Sequence, residues 1–136
     1  MDRRLIEEKI EALRRCVKRV ESKCPGTVQE LATDLDIQDI IAPNLTRAVQ
    51  LCVDIGAHII AESEAMPPDT MGATFDVLAT LGIINGELAL RMKKAVGFRN
   101  IAVHNYQAID WVIVHAICRK HTVDFRLFAE TVIKAC

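Results

Sequence analysis

Apolar residues recur every three or four positions along most of this 136-residue chain, the period of helices that bury one face. Leu5, Ile6, Ile10, Leu13, Val17 and Val20, with Arg and Glu between them, predict a first helix of about 20 residues. Cys24-Pro25-Gly26 ends it. Thr27-Val28-Gln29-Glu30 then has the Thr-x-x-Glu form of a capping box and starts a short second segment, whose pattern fades at Asp34 to Asp36. The longest helix follows, near 38 to 62. Ile41, Leu45, Ala48, Cys52, Ile55 and Ile59 make one apolar seam of the kind that packs in bundles. An opposing stripe of Asn44, Arg47, Leu51, Asp54 and His58 is expected to face solvent.

Met66-Pro67-Pro68-Asp69 breaks that helix, because proline lacks a donor and restrains the residue before it. Thr74, Phe75, Val77, Leu78 and Leu81 predict a short helix closed by Gly82, and Asn85-Gly86-Glu87 starts another running to about Val96. Gly97 then permits a turn or close packing. The run Ile109 to Ile117, which includes Trp111, is nearly all apolar and reads as a buried core helix, with Asp124 to Cys136 as the last one. The expected fold is all-α, an up-and-down bundle of five or six helices in a single domain spanning 1–136.

Composition agrees: hydrophobic residues make up 51% and aromatic residues only 4%, so the core is mostly aliphatic. No run of 18 apolar residues occurs, and Met1-Asp2-Arg3-Arg4 leads straight into an amphipathic pattern, so a soluble, cytoplasmic protein without a membrane segment is expected. Five scattered cysteines without a CxxC pair argue against a disulfide framework. His115, Cys118 and His121 repeat every three residues, but no fourth ligand is evident, so no metal is expected there.

Charge is uneven. Residues 1 to 26 carry eight Lys/Arg against five Asp/Glu, residues 27 to 90 one against ten, and residues 91 to 136 eight against three, giving balances of +3, −9 and +5. Arg91, Lys93, Lys94 and Arg99 lie just before or within the stretch Gly97-Phe98-Arg99-Asn100-Ile101-Ala102-Val103-His104-Asn105-Tyr106, where a phosphate chain would need them. That stretch concentrates the chemistry. Arg99 supplies a permanent planar cation, and His104 a group that exchanges a proton near neutral pH. Five residues turn an ideal helix by about 140°, so the two point different ways, whereas Arg99 and Tyr106, seven apart, would share a face. A break in the helix, the reach of Arg or a second subunit would bring cation and imidazole together.

The string Arg-Asn-x-x-x-His-x-Tyr, led by Gly-Phe, resembles the Arg-x4-His-x-Tyr motif of HepT-like toxins in the HEPN ribonuclease superfamily. The order of the predicted helices, Leu81-Gly82-Ile83-Ile84 and Ile109-Asp110 extend the likeness over most of the chain. The resemblance implies a HEPN-like homodimer whose two motifs face one cleft. It implies an endoribonuclease toxin that cleaves RNA, tRNA or mRNA, without a metal or other cofactor. His104 would be general acid or base, Arg99 would stabilise the phosphoryl group, and the product would end in a 2′,3′-cyclic phosphate. It further implies neutralisation by a minimal nucleotidyltransferase antitoxin that transfers AMP to Tyr106. Asn100 and Asp54 are supporting candidates, Asp54 by orienting Arg99 or His104. Arg91, Lys93 and Lys94 are candidate phosphate contacts. The rival reading is a non-catalytic HEPN-like module that binds nucleotides or a nucleotidyltransferase, although such a module would be expected to lose the Arg and His kept here.

Overall fold

The computed structural model describes residues 2–136, and among them there are helices and no strand. Helix α1 (Arg3–Lys23) begins where the Asp2 carboxylate accepts the Leu5 N–H at 3.1 Å, and the pairs Arg3–Glu7 and Arg4–Glu8 line its exposed first turns. The Thr27 half of the capping box forms: Thr27 Oγ1 accepts the Glu30 N–H at 3.2 Å and opens α2 (Val28–Thr33). Asp34, where the sequence pattern fades, closes α2 and caps α3 (Leu35–Ala61), accepting from the N–H groups of Asp36 and Ile37. Pro43 lies inside α3 and removes the donor that would meet the carbonyl of Asp39.

Thr70 caps α4 (Met71–Thr80), and Gly82, at φ +78°, closes it in a Schellman turn: Ile83 N–H donates to Leu78 O at 3.0 Å and Gly82 N–H to Ala79 O at 3.0 Å. Asn85 caps α5 (Gly86–His104). A 3-10 turn at Tyr106–Ala108 leads to α6 (Trp111–Ala116), which continues through a π-helical turn, Ile117–His121, into α7 (Thr122–Ala135). With α6 and α7 joined into one rod, six helical rods result among the described residues. This is the all-α bundle expected.

The seam of α3 lies at the centre, with Ile41, Leu45, Ala48, Cys52, Ile55 and Ile59 all buried. Helix α1 runs antiparallel to α3, pairing Lys9 with Asp54, and antiparallel to α7, pairing Glu21 with Arg126 near one end and Arg3 with the Cys136 carbonyl near the other. Phe75 of α4 meets Phe128 of α7 edge-on, with ring centroids 5.7 Å apart. Full burial of each such side chain stabilises the fold by about 1.5–3 kcal/mol. Gly56 lets α4 approach α3, since a Cβ there would stand 2.7 Å from Thr74 Cγ2 and 2.9 Å from Leu78 Cδ1.

Two elements differ from the sequence reading. The stripe opposite the α3 seam is solvated only in part: Arg47 is exposed, but Leu51 is buried and Asn44, Asp54 and His58 are half-buried, because α1 lies along it. The run 109–117 is not a core helix either. Ile109 and Val114 are buried, but Val112 and Ile113 are 60% and 54% exposed. An apolar run without a period cannot reveal that α6 sits at the edge of the bundle with one face uncovered.

Candidate active site

The motif occupies the last two turns of α5 and the turn after it. Gly97 stays helical, and a Cβ there would meet nothing within 4 Å, so this glycine makes neither a turn nor a close approach. The chain leaves the helix between His104 and Tyr106. Asn105 takes φ −152° and ψ 68°, its N–H still donating to Ile101 O at 2.8 Å, and Asp110 opens α6 by accepting the Val112 N–H at 2.9 Å.

An unbroken helix keeps the separation of about 140° between Arg99 and His104. Tyr106 stands beyond the helix end, so the face it would share with Arg99 does not exist. Arg99 is half-buried. Its Nη1 donates to Asn100 Oδ1 at 3.2 Å, while its Nε is buried without a partner. An unmet buried donor costs on the order of 1–3 kcal/mol, more when charged, and a phosphoryl oxygen is the kind of acceptor that would relieve it. His104 ends α5 exposed, free to meet a ligand.

Tyr106 is 43% exposed and packs edge-on against Trp111. Burial pushes its hydroxyl pKa up, and the Asp39 carboxylate on α3 adds to the shift, so the phenol stays protonated at neutral pH. The sequence pattern assigns Asp39 no role and reads Trp111 only as part of a core helix, since both come near Tyr106 through the turn after α5.

The supporting residues divide. Asn100 does touch Arg99. Asp54 does not reach Arg99 or His104: it accepts from Gln50 Nε2 at 2.9 Å and pairs with Lys9 at 3.9 Å, because its face of α3 is turned to α1. Arg91 is held between Glu87 and Asp124, each at 2.9 Å, and Lys93 by Asp76 at 3.0 Å. Lys94 remains exposed at the rim of a cavity of about 320 Å³ floored by Ile113, Ile117 and Phe125.

The side chains of the His115, Cys118 and His121 repeat have other neighbours. His115 Nε2 lies 2.9 Å from Pro25 O, His121 Nδ1 lies 3.8 Å from Asp124 Oδ2, and the Cys118 thiol is pushed up to about 12, by burial first and the neighbouring Cys24 next. Among the described residues no three His, Cys, Asp or Glu side chains are placed to hold a metal ion, and no helix is long and apolar enough to cross a membrane.

Comparison with known proteins gives the family and the fold. The family profile for ribonuclease HepT-like proteins matches residues 6–132. The mRNA nuclease HepT of Shewanella oneidensis is 36% identical over 131 residues, which cover 96% of this chain and 97% of that one. The solved structure of a tri-AMPylated Shewanella oneidensis HEPN toxin in complex with an MNT antitoxin superposes with a TM-score of 0.89 at 35% identity, covering all of both chains. A toxin–antitoxin complex with AMP-PNP gives 0.88 at 35%, over 96% of this chain and 98% of that one. An all-α bundle with an Arg and a His on the last turns of one helix, matched along nearly its whole length, belongs to the ribonuclease HepT-like family.

Proposed function

We propose that this chain is the endoribonuclease toxin of a toxin–antitoxin pair. The observation that carries the reading is Arg99, a cation with a buried Nε and no acceptor for it, set before an exposed His104 on the same helix end. RNA is the substrate, and mRNA is the first to try, since the Shewanella relative is an mRNA nuclease. In the reaction His104 takes the proton of the 2′-hydroxyl or gives one to the departing 5′-oxygen. The 2′-oxygen bonds to phosphorus as the bond to the 5′-oxygen breaks, leaving a 2′,3′-cyclic phosphate and a 5′-hydroxyl. Arg99 neutralises charge on the phosphoryl oxygens.

Because Arg99 and His104 diverge around α5, a two-fold homodimer that sets two motifs across one cleft is the economical way to surround a phosphate. Exposed Ile101, Val103, Val112 and Ile113 surround the motif and would be covered in such a dimer. Acting on RNA places the protein in the cytoplasm. Control comes from a nucleotidyltransferase antitoxin, as the AMPylated Shewanella complex suggests. The Tyr106 oxygen attacks the α-phosphorus of ATP, pyrophosphate leaves, and the phenol proton passes to a base that the antitoxin supplies.

The test is incubation of the purified chain, with EDTA present, against total RNA and tRNA beside His104→Ala. Cleavage by the unaltered chain, with products ending in a cyclic phosphate, and a loss on the order of 10² to 10⁴ in the variant are expected. Equal activity in the two sinks the catalytic assignment, and activity that needs added zinc sinks the metal-independent one.

A further inference from the structure

The N-terminal charge excess gathers at a place the motif does not use. Between α1 and α3 lies an open concavity of about 430 Å³ lined by Ala12, Arg15, Cys16, Arg19, Asn44 and Arg47. Arg15 and Arg19 stand one turn apart on α1, and Arg47 faces them from α3, where it reaches the Cys16 thiol. Many cations of this chain are paired: Arg3, Arg4, Lys9, Arg91, Lys93 and Arg126 each lie against a carboxylate. Arg15, Arg19 and Arg47 form no such pair among the described residues. Asp54 of α3 is taken by Lys9 and Gln50 two turns further along the helix.

Three guanidiniums carried on two packed helices, with no acid among the lining residues, repel one another unless an anion sits among them. The walls select the kind of anion. Ala12 and Cys16 are the only apolar lining, so the concavity offers no pocket for the aromatic or aliphatic anchor that a protein partner would insert. What fits is a chain of phosphates whose sugars and bases stay in water.

Its place on the bundle fits too. Arg47 follows Asp39, the carboxylate sensed by the Tyr106 hydroxyl, by eight residues, which is about 80° around α3 and ~12 Å along it. A single strand of RNA with one phosphate at the motif would reach the three arginines within a few nucleotides, inside the usual span of a single-strand site. We propose that Arg15, Arg19 and Arg47 form a second phosphate-binding site that grips the RNA strand beyond the cleaved bond. This rests on the ribonuclease reading. It assigns to α1 and α3 the backbone contacts that Arg91 and Lys93, tied to Glu87, Asp124 and Asp76, are not free to make.

The test is the salt dependence of binding, read by fluorescence anisotropy with labelled single strands of roughly a dozen nucleotides. RNA is used with chain carrying His104→Ala, and DNA of the same sequence, which has no 2′-hydroxyl to attack, with the unaltered chain. In each background Arg15→Gln, Arg19→Gln and Arg47→Gln are combined. Three lost contacts at about 0.7 each should make the plot of log affinity against log salt shallower by about 2, a fall of roughly a hundredfold near 0.1 M salt. The triple Lys version keeps the charges and should restore most of the slope. An unchanged slope in the Gln version, or an equal loss in the Lys version, overturns the site and leaves the catalytic reading standing. Cleavage of RNA by His104→Ala overturns the catalytic reading while the DNA series still decides the site. A Gln version that holds RNA normally but no longer binds the nucleotidyltransferase assigns the concavity to a protein and overturns the proposal.

Discussion

The ring of Tyr106 meets the ring of Trp111 edge-on, with centroids 6.0 Å apart and planes at 67°. This contact bridges the 3-10 turn and fixes where the tyrosine stands once the chain has left α5. Such pairs are worth about 0.5–1.5 kcal/mol beyond their buried area. If Tyr106 is the residue that receives AMP, Tyr106→Phe keeps ribonuclease activity and escapes the antitoxin with ATP. Trp111→Ala is modified but at an altered rate. Mass spectrometry of the protein after incubation with antitoxin and ATP checks this, and AMP on the Phe version would move the modification elsewhere.

The two helical glycines should respond oppositely to alanine. Gly97 is exposed with open space at its Cβ, so Gly97→Ala should raise stability by about 0.5–1 kcal/mol and leave the motif in place. Gly56→Ala forces Thr74 and Leu78 away and should lower stability by about 1–3 kcal/mol despite the better helix propensity. Urea midpoints of the two variants decide it.

The thiols make stability fall in alkali. Burial raises the pKa of Cys16, Cys24, Cys52, Cys118 and Cys136 above the ordinary 9.0, Cys118 to about 12. The unfolded chain therefore releases protons near pH 9.0 that the folded chain keeps. Stability is present in full below that pH and is lost as the pH climbs toward the folded values, by at most about 1.4 kcal/mol per pH unit for each group. Cys52→Ala and Cys118→Ala should each flatten the decline in a pH series of urea titrations, and parallel curves would exclude the thiols as its cause.

The exposed apolar residues around the motif predict how the chain assembles. Ile113→Asp, or Val103→Asp, places a charge at the centre of the proposed contact and should turn a dimer into a monomer in sedimentation. Activity should fall with it if the cleft is shared. A monomer of full activity would show that each chain cuts alone.

Periodicity and caps made most of the bundle legible. The seam of α3, the cap at Thr27 and the Schellman glycine at 82 are local features, each written within a few residues, whereas α3 stops at Ala61, before the prolines at 67 and 68. The motif was legible as a string, because Arg99, His104 and Tyr106 lie within eight residues, and its likeness to a family could be seen without coordinates. Its geometry was not. A lone glycine costs a helix only about 1 kcal/mol, and packing of Val96 and Phe98 carries α5 past Gly97 to His104, against the break that the sequence suggests.

Local order along the chain therefore sets the helices and the chemistry at one of their ends. Packing of the helices sets which neighbours those groups have. It paired Arg91 with Asp124, 33 residues away, and turned Asp54 toward α1 rather than toward the motif. It left one side of α6 uncovered and brought Arg47 across to Arg15 and Arg19. Each of these depends on how separate helices pack, and the period of an apolar stripe states that a face is buried without naming what lies against it.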